Sequence, residues 1–380
     1  MFICHTDAYH SDERRNLPNH ILLLSIFDKM TTDYLIIGQG ICGTFLSWNL
    51  IKAGKKVIVI DQPQPFSSSK VASGIINPVT GRRVVSTWMI DELMSFAWNA
   101  YNEIGNKIGE KVIEQKNIIV FPPSQQMVDA HAKRIHEENS FVNQISSDQF
   151  QDSFSFLFKT FEITPVYLVY LYPLLHGWRK KLIEQQFLLE EEFQMEQLHI
   201  SAQNIQYKNI IAEKIFFCDG VNTFKNYFWK NLPYIYNKGQ ALIADIPALP
   251  QDKIYKYGNI TFTPWYDDLC WVGSSYENEF ETELPTDEFK QSVTLSLKNV
   301  LKIPFTVIDH FASLRPAALE RRPFVGLHPH CPAMGILNGM GTKGCSLAPY
   351  FADELAQHVI NNNPLTPLVD VKRFSGMLAR

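Results

Sequence analysis

Residues 33–61 read DYLIIGQGICGTFLSWNLIKAGKKVIVID, and this stretch constrains the chain more than any other. An apolar run, Tyr34–Ile37, leads into Gly38-x-Gly40-x-x-Gly43. Helical text follows, then a second apolar run that ends on Asp61, 18 positions after Gly43. This order predicts a strand, a glycine turn, a helix and a parallel strand closed by an acid. Gly38 permits the tight turn, Gly40 lets backbone approach a pyrophosphate, and Gly43 lets helix and sheet pack closely. The helix start then offers unpaired N–H groups and the positive end of its dipole to phosphate. Asp61 is placed to hold a ribose hydroxyl pair. The alternative, an ordinary βα turn that contains glycines, leaves the acid's position to chance.

The chain has 380 residues, room for two domains or one large one with an insertion, and 46% of them are hydrophobic, enough for a substantial core. The formal net charge of −4 gives no global bias toward nucleic acid. Arg82-Arg83, Lys180-Lys181 and Arg321-Arg322 read as solvated surface pairs. Six cysteines include no C-x-x-C pair, which argues for a reducing compartment, a cytoplasmic location and no disulfide frame. No metal site is expected: His328 and His330 flank Pro329 without partner acids and read as surface residues. Nothing near the start is long enough to span a membrane. Residues 1–29 lack strand or helix period and read as a disordered extension or a misassigned start, with Met30 as the true first residue.

Asp61 is followed by QPQPFSSSK (62–70), a Pro/Ser loop, and then VASGIINPVTGRR (71–83), read as loop without strand or helix text. Helices are predicted over 86–108, 127–138, 168–186, 286–301 and 346–360. A strand is predicted over 111–121, stopped by Pro122-Pro123. Another runs through 206–218, and a third is MGILN at 334–338. Between 236 and 276, GQALIADI, YGNITFTP and LCWVGSSY read as antiparallel strands. Parallel-sheet text at the start, near 211–218 and at the end encloses this β-rich middle. The fold class expected is α/β: a Rossmann-like dinucleotide domain, discontinuous in sequence, with an inserted β-rich α+β domain. The boundaries drawn are 30–90, 160–235 and 305–380 for the first, and 91–159 and 236–304 for the second.

Seven separated blocks, in order, resemble the D-amino-acid oxidase-like FAD-dependent oxidoreductases, the family of glycine oxidase, sarcosine oxidase and D-amino-acid dehydrogenase. They are the glycine fingerprint, SSSKVASGIINP (67–78), IFFCDG (215–220), KGQALI (238–243), LCWVGSS (269–275), SLRP with RRPFVG (313–326), and NGMGTKGCSLAP (338–349). The likeness covers roughly residues 33–374. It implies FAD, an oxidoreductase, and oxidation of a C–N bond in an amino acid or related amine by hydride transfer to flavin N5, with an imine that hydrolyses. Asp61 stands where the family usually has Glu. Thr261-Phe262-Thr263-Pro264 stands where many members have an active-site aromatic. Ala317-Ala318 stands where sarcosine oxidases carry the flavin-linking cysteine, so the FAD is expected to be non-covalent.

The cofactor set expected is Gly38, Gly40, Ile41, Gly43, Asp61 and Gln62 at the adenosine and pyrophosphate end. Ser69 and Lys70 add donors to the pyrophosphate; a solvated loop is the alternative. By resemblance, Gly74, Ile75, Ile76 and Asn77 line the isoalloxazine, Gly220 touches the cofactor, and Gly339, Gly341, Thr342, Lys343 and Gly344 close over the flavin. Arg315 is the candidate carboxylate anchor, since a guanidinium holds a carboxylate through two parallel hydrogen bonds; the alternative is a partner for a structural acid. Lys343 is the candidate stabiliser of charge on reduced flavin, or else a surface lysine on a helix cap. Tyr276 is read as a pocket wall, or else a rim aromatic. The partners expected are a small amine or amino acid and an electron acceptor such as oxygen or a quinone. Two other readings stay open. GTKGCSLAP also resembles the oxidoreductase half of the bifunctional enzyme that matures the wobble uridine of bacterial tRNA, which leaves tRNA as a partner. The chain is also compatible with an FAD-binding module without turnover.

Overall fold

A computed structural model describes residues 29–137, 140–201 and 204–379. Strand β1 (Met30–Ile37), helix α1 (Ile41–Lys52) and strand β2 (Val57–Ile60) form the first βαβ unit. β1 pairs in parallel with β2 on one side and with the strand Ile210–Phe217 on the other. The strand Cys331–Asn338 then pairs in parallel with Ile210–Phe217. Four distant segments therefore bring their carboxyl ends, at Ile37, Ile60, Phe217 and Asn338, to one edge of the sheet. Both faces are covered. Tyr34, Ile36, Val57 and Val59 join the core under α1 and the helix Gly344–Asn361, and Leu35, Ile37, Ile58 and Ile60 join the core on the other side. This double burial is why these strands read as unbroken apolar runs.

The second sheet has eight strands. In order they are Thr306–Ala318, Tyr234–Asp245, Cys270–Gly273, Ile260–Pro264, Ile254–Tyr257, Ile118–Phe121, Thr160–Ile163 and Val142–Ile145. Every pairing is antiparallel except that of Ile254–Tyr257 with Ile118–Phe121. Leu242, Phe262 and Val272 pack on Val293 and Leu297 of the helix Asp287–Val300. The opposite face carries Gly239, Ala241, Thr261 and Gly273 and looks toward the first sheet across a cavity. The α/β class with a second, β-rich part is thus the observed architecture.

Four local expectations need correction. The strand drawn through 206–218 is a hairpin, with Ile205–Tyr207 paired antiparallel to Ile210–Phe217 around Lys208. The single strand over 111–121 is two, Ile113–Gln115 and Ile118–Phe121, in different sheets. The chain turns at Lys116, whose N–H bonds Val166 O, and Asn117, whose carbonyl accepts from Ile254 N. The helix placed over 168–186 starts at Leu171, because Tyr167–Val169 is claimed by strand pairing; Pro173 falls in the first helical turn, where its missing N–H costs nothing. The loop text over 62–83 contains one helical turn, Ser68–Val71, and a two-residue strand, Ile75–Ile76, held by Tyr167–Leu168. Tertiary partners supply what local propensity lacks. The 1–29 expectation lies outside the described residues except at Lys29. Among the described residues no helix is long and apolar enough to cross a membrane.

Candidate active site

The glycine turn after β1 is built by close backbone approach. Gly38 has φ +93°, and a Cβ there would sit 2.6 Å from Asp219 Cα. A Cβ on Gly43 would lie 1.8 Å from Gly38 O. No side chain is tolerated at either place. α1 begins at Ile41 without a side-chain cap at Gly40, and Thr44 N is the amide that bonds back to Gly40 O. Ser69 Oγ accepts from Ile41 N at 3.1 Å, which seats the 67–71 turn against the helix start. Lys70 Nζ reaches back to Gln64 O at 2.6 Å, and burial lowers its pKa.

Asp61 stands one residue beyond β2. One carboxylate oxygen accepts from Gln39 N at 2.8 Å and the other from Arg179 Nη1 at 2.6 Å. Arg179 also donates to Asp61 O and to Glu190, so it clamps the acid from the helix Leu171–Glu184. Each carboxylate oxygen keeps a second lone pair for a ligand hydroxyl. Asp219, at the end of Ile210–Phe217, accepts from Thr223 Oγ1. Burial pushes its pKa up from 3.8 to about 6 against the pull of that hydrogen bond. Gly220 follows at positive φ, and its carbonyl accepts from Asn338 Nδ2 at 2.9 Å, which ties two strand ends together.

Arg315 lies on the cavity face of the second sheet. Its guanidinium is laid across Gly239, where a Cβ would come within 1.8 Å of Nη2. It donates to Asn237 Oδ1 at 2.7 Å, Ser275 O at 3.2 Å and Ser274 Oγ at 3.0 Å. All three acceptors are neutral, and no described carboxylate forms an ion pair with it. Burial lowers its pKa, against the opposing pull of Tyr276 and Glu277. A guanidinium held flat by neutral acceptors keeps donors free for an anion. Lys343 sits in the short turn Gly341–Lys343 ahead of the helix Gly344–Asn361, half-buried and without an ion pair among the described residues. Burial lowers its pKa, followed by the repulsion of Arg322 and Arg321. Arg322 is not simply solvated: its guanidinium stacks on Trp88 at 4.1 Å. Tyr276 is 58% exposed, at the rim of the cavity. His328 is buried against Trp229, not on the surface, and burial lowers its pKa. Among the described residues no group of side chains could hold a metal ion.

A single cavity of about 1860 Å³ connects these parts. It runs from Gly38–Ile41 and Asp61–Gln62, past Ser69–Asn77 and Gly220, to Arg315 and Gly341–Gly344. Gly339 is outside its lining: Phe324 fills the space where a Cβ at Gly339 would go. Pockets for small molecules usually measure roughly 300–1,000 Å³. This one has room for a long cofactor and a substrate together. Side-chain-free backbone at one end, the clamped acid beside it, and a glycine turn with a lysine at the other fit FAD. Sequence motifs did not point to Arg179, because an arginine in mid-helix has no fingerprint; only the tertiary contact with Asp61 marks it.

Comparison with known proteins agrees with this arrangement. The family described as DAO, FAD dependent oxidoreductase, matches residues 33–358. The chain therefore belongs to the FAD-dependent oxidoreductases of the DAO family, and FAD is its cofactor. Glycine oxidase of Pseudomonas aeruginosa is 28% identical over 138 residues, which span 35% of this chain and 37% of that protein. Among solved structures, iminodiacetate oxidase of Chelativorans sp. superposes with a TM-score of 0.73 at 18% identity, over 88% of this chain and 97% of the other. Glycine oxidase of Bacillus cereus superposes with a TM-score of 0.72 at 16% identity, over 88% and 96%. These likenesses establish the fold.

Proposed function

We propose that the protein oxidises the C–N bond of an amino acid or related amine, and that Arg315 binds the substrate carboxylate. Bound FAD supplies the hydride acceptor. The observation that carries the reading is the Arg315 guanidinium, held over Gly239 by neutral acceptors and open to an anion in the cavity. A carboxylate paired there fixes the α-carbon of an amino acid, so binding energy becomes orientation. The substrate nitrogen's own lone pair assists loss of the α-hydrogen, so no dedicated protein base is required. The resulting imine hydrolyses to a carbonyl compound and an amine or ammonia.

Lys343 and the start of the helix Gly344–Asn361 place positive potential at the far end of the cavity, suited to negative charge that accumulates on a reduced ring. Burial pushes the Cys42 and Cys345 thiols, both on the cavity wall, up to about 12. Neither presents a thiolate near neutral pH, which supports FAD held without a covalent link. In this reading the parallel sheet carries the cofactor and the antiparallel sheet the substrate wall. Thr306–Ala318, which bears Arg315, and Thr160–Ile163 therefore go with the substrate part, rather than with the cofactor part as the boundaries 305–380 and 160–235 had them. The helix Ile90–Ile108 goes with the cofactor core. Iminodiacetate oxidase and glycine oxidase, by their names, act on small amino acids, which suits the anchor. The test is an anaerobic screen of amines against the yellow protein. Bleaching by amino acids that is lost in Arg315→Ala supports the reading. A wild-type flavin that no amine bleaches overturns it.

A further inference from the structure

We infer that Lys256 is a second anion-recognising group on the substrate wall, and that the substrate carries a second acidic group besides the carboxylate held at Arg315. The inference rests on the assignment of Arg315 made above. It comes from the register of the second sheet. Lys256 pairs with Thr261, Thr261 with Gly273, and Gly273 with Ala241, so the four lie in one row across four strands. Alternation puts Gly239 on the same face as Ala241, two residues along its strand. Lys256 and the Arg315 guanidinium over Gly239 therefore share one face, and both line the cavity.

Between them the floor is low, with threonine, glycine and alanine in the row. With strands about 4.8 Å apart, the three steps from the Gly239 strand to the Lys256 strand span roughly 14 Å. The arginine reaches in toward Ser274, which follows the neighbouring strand Cys270–Gly273, and the long lysine stem can span part of the remaining gap. An extended diacid of a few carbons is the shape that bridges them.

The Lys256 ammonium forms no ion pair and no hydrogen bond with any described residue. Burial lowers its pKa, and no neighbouring anion offsets it. A partly buried ammonium without a counter-charge is costly to keep. A ligand carboxylate would supply the missing counter-charge, as it would for Arg315. Two such cations on one wall favour a dianion over a monoanion.

The experiment titrates yellow wild type, Lys256→Met, Lys256→Arg and Arg315→Ala with glutarate and with butyrate. It follows the change each ligand makes in the visible flavin spectrum. Glutarate should bind wild type at least about tenfold more tightly than butyrate. Lys256→Met should bring the two affinities to near equality, Lys256→Arg should keep the preference, and Arg315→Ala should weaken both ligands. An unchanged preference in Lys256→Met, no preference in wild type, or loss of flavin from Lys256→Met would each overturn the inference. A lysine-dependent preference for glutarate in a protein whose flavin no amine bleaches would uphold this site and sink the proposed reaction. Bleaching by amino acids with no effect of Lys256→Met would do the reverse.

Discussion

In the parallel sheet, the cavity meets the carboxyl ends of strands and the turns that follow them: Gly38–Ile41, Asp61–Gln62, Cys218–Asn222 and Asn338 with Gly341–Gly344. In the antiparallel sheet it meets the flat of the strands, at Gly239, Ala241, Thr261, Gly273 and Lys256. The first surface is mostly backbone, and a dinucleotide needs backbone amides and room. The second presents the charged side chains of Arg315 and Lys256 over a low floor of glycine, alanine and threonine, which suits the small charged substrate proposed. One sheet therefore offers the backbone cradle for the dinucleotide, and the other the charged groups proposed to hold the substrate.

The largest effect should break the first surface. Gly43→Ala puts a Cβ against Gly38 O at 1.8 Å, where neither backbone can retreat. We expect a colourless protein destabilised by about 4 kcal/mol or more, read by visible absorbance and thermal melting. A stable yellow variant would show that the turn is not the tight cradle described. Next, Arg315→Ala should leave the protein yellow while KM for a carboxylate-bearing substrate rises about 100-fold. An amine without a carboxylate should show little change. If colour fades instead, Arg315 belongs to the cofactor side and the division between the two sheets fails.

A smaller effect concerns Asp219. Its pKa in the folded protein is about 6, above the ordinary 3.8. The folded state therefore favours the protonated acid, so the stability that its proton confers is full below about pH 4 and is lost as pH rises through about 6. Asp219→Asn should remove this loss. Flavin-free protein should gain on the order of 2 kcal/mol at pH 7 and almost nothing at pH 4, by melting at both values. An equal gain at both would show the acid is not the cause. The smallest effect should come from Arg179→Met, which frees Asp61 from its clamp. Flavin affinity should fall roughly tenfold with substrate KM unchanged, by fluorescence titration of FAD into stripped protein. A change in KM alone would move Arg179 to the other surface.

Much of the first surface was legible in the chain. The apolar runs at 34–37 and 57–60, the three glycines and Asp61 lie within 29 residues. The strand Ile210–Phe217 and the turn at 338–344 showed as blocks for the same reason: continuous burial and missing side chains leave local marks. The other misses share one cause. Tyr167–Val169, Ile75–Ile76 and the split at Lys116 are strands or turns only because a remote partner pairs with them. Tyr276 could be read as a pocket wall, but it stands at the rim.

By itself the sequence determined the parallel core and the cradle, because period and glycine spacing act over a few residues and need no distant partner. The tertiary structure alone decided that Arg315 lies across Gly239, that Arg179 grips Asp61, and that Lys256 faces the same cavity as Arg315. Strand register decides which way a side chain points, and a slip of one residue would turn Lys256 to the other face. That register is set between segments dozens of residues apart, where no local pattern records it.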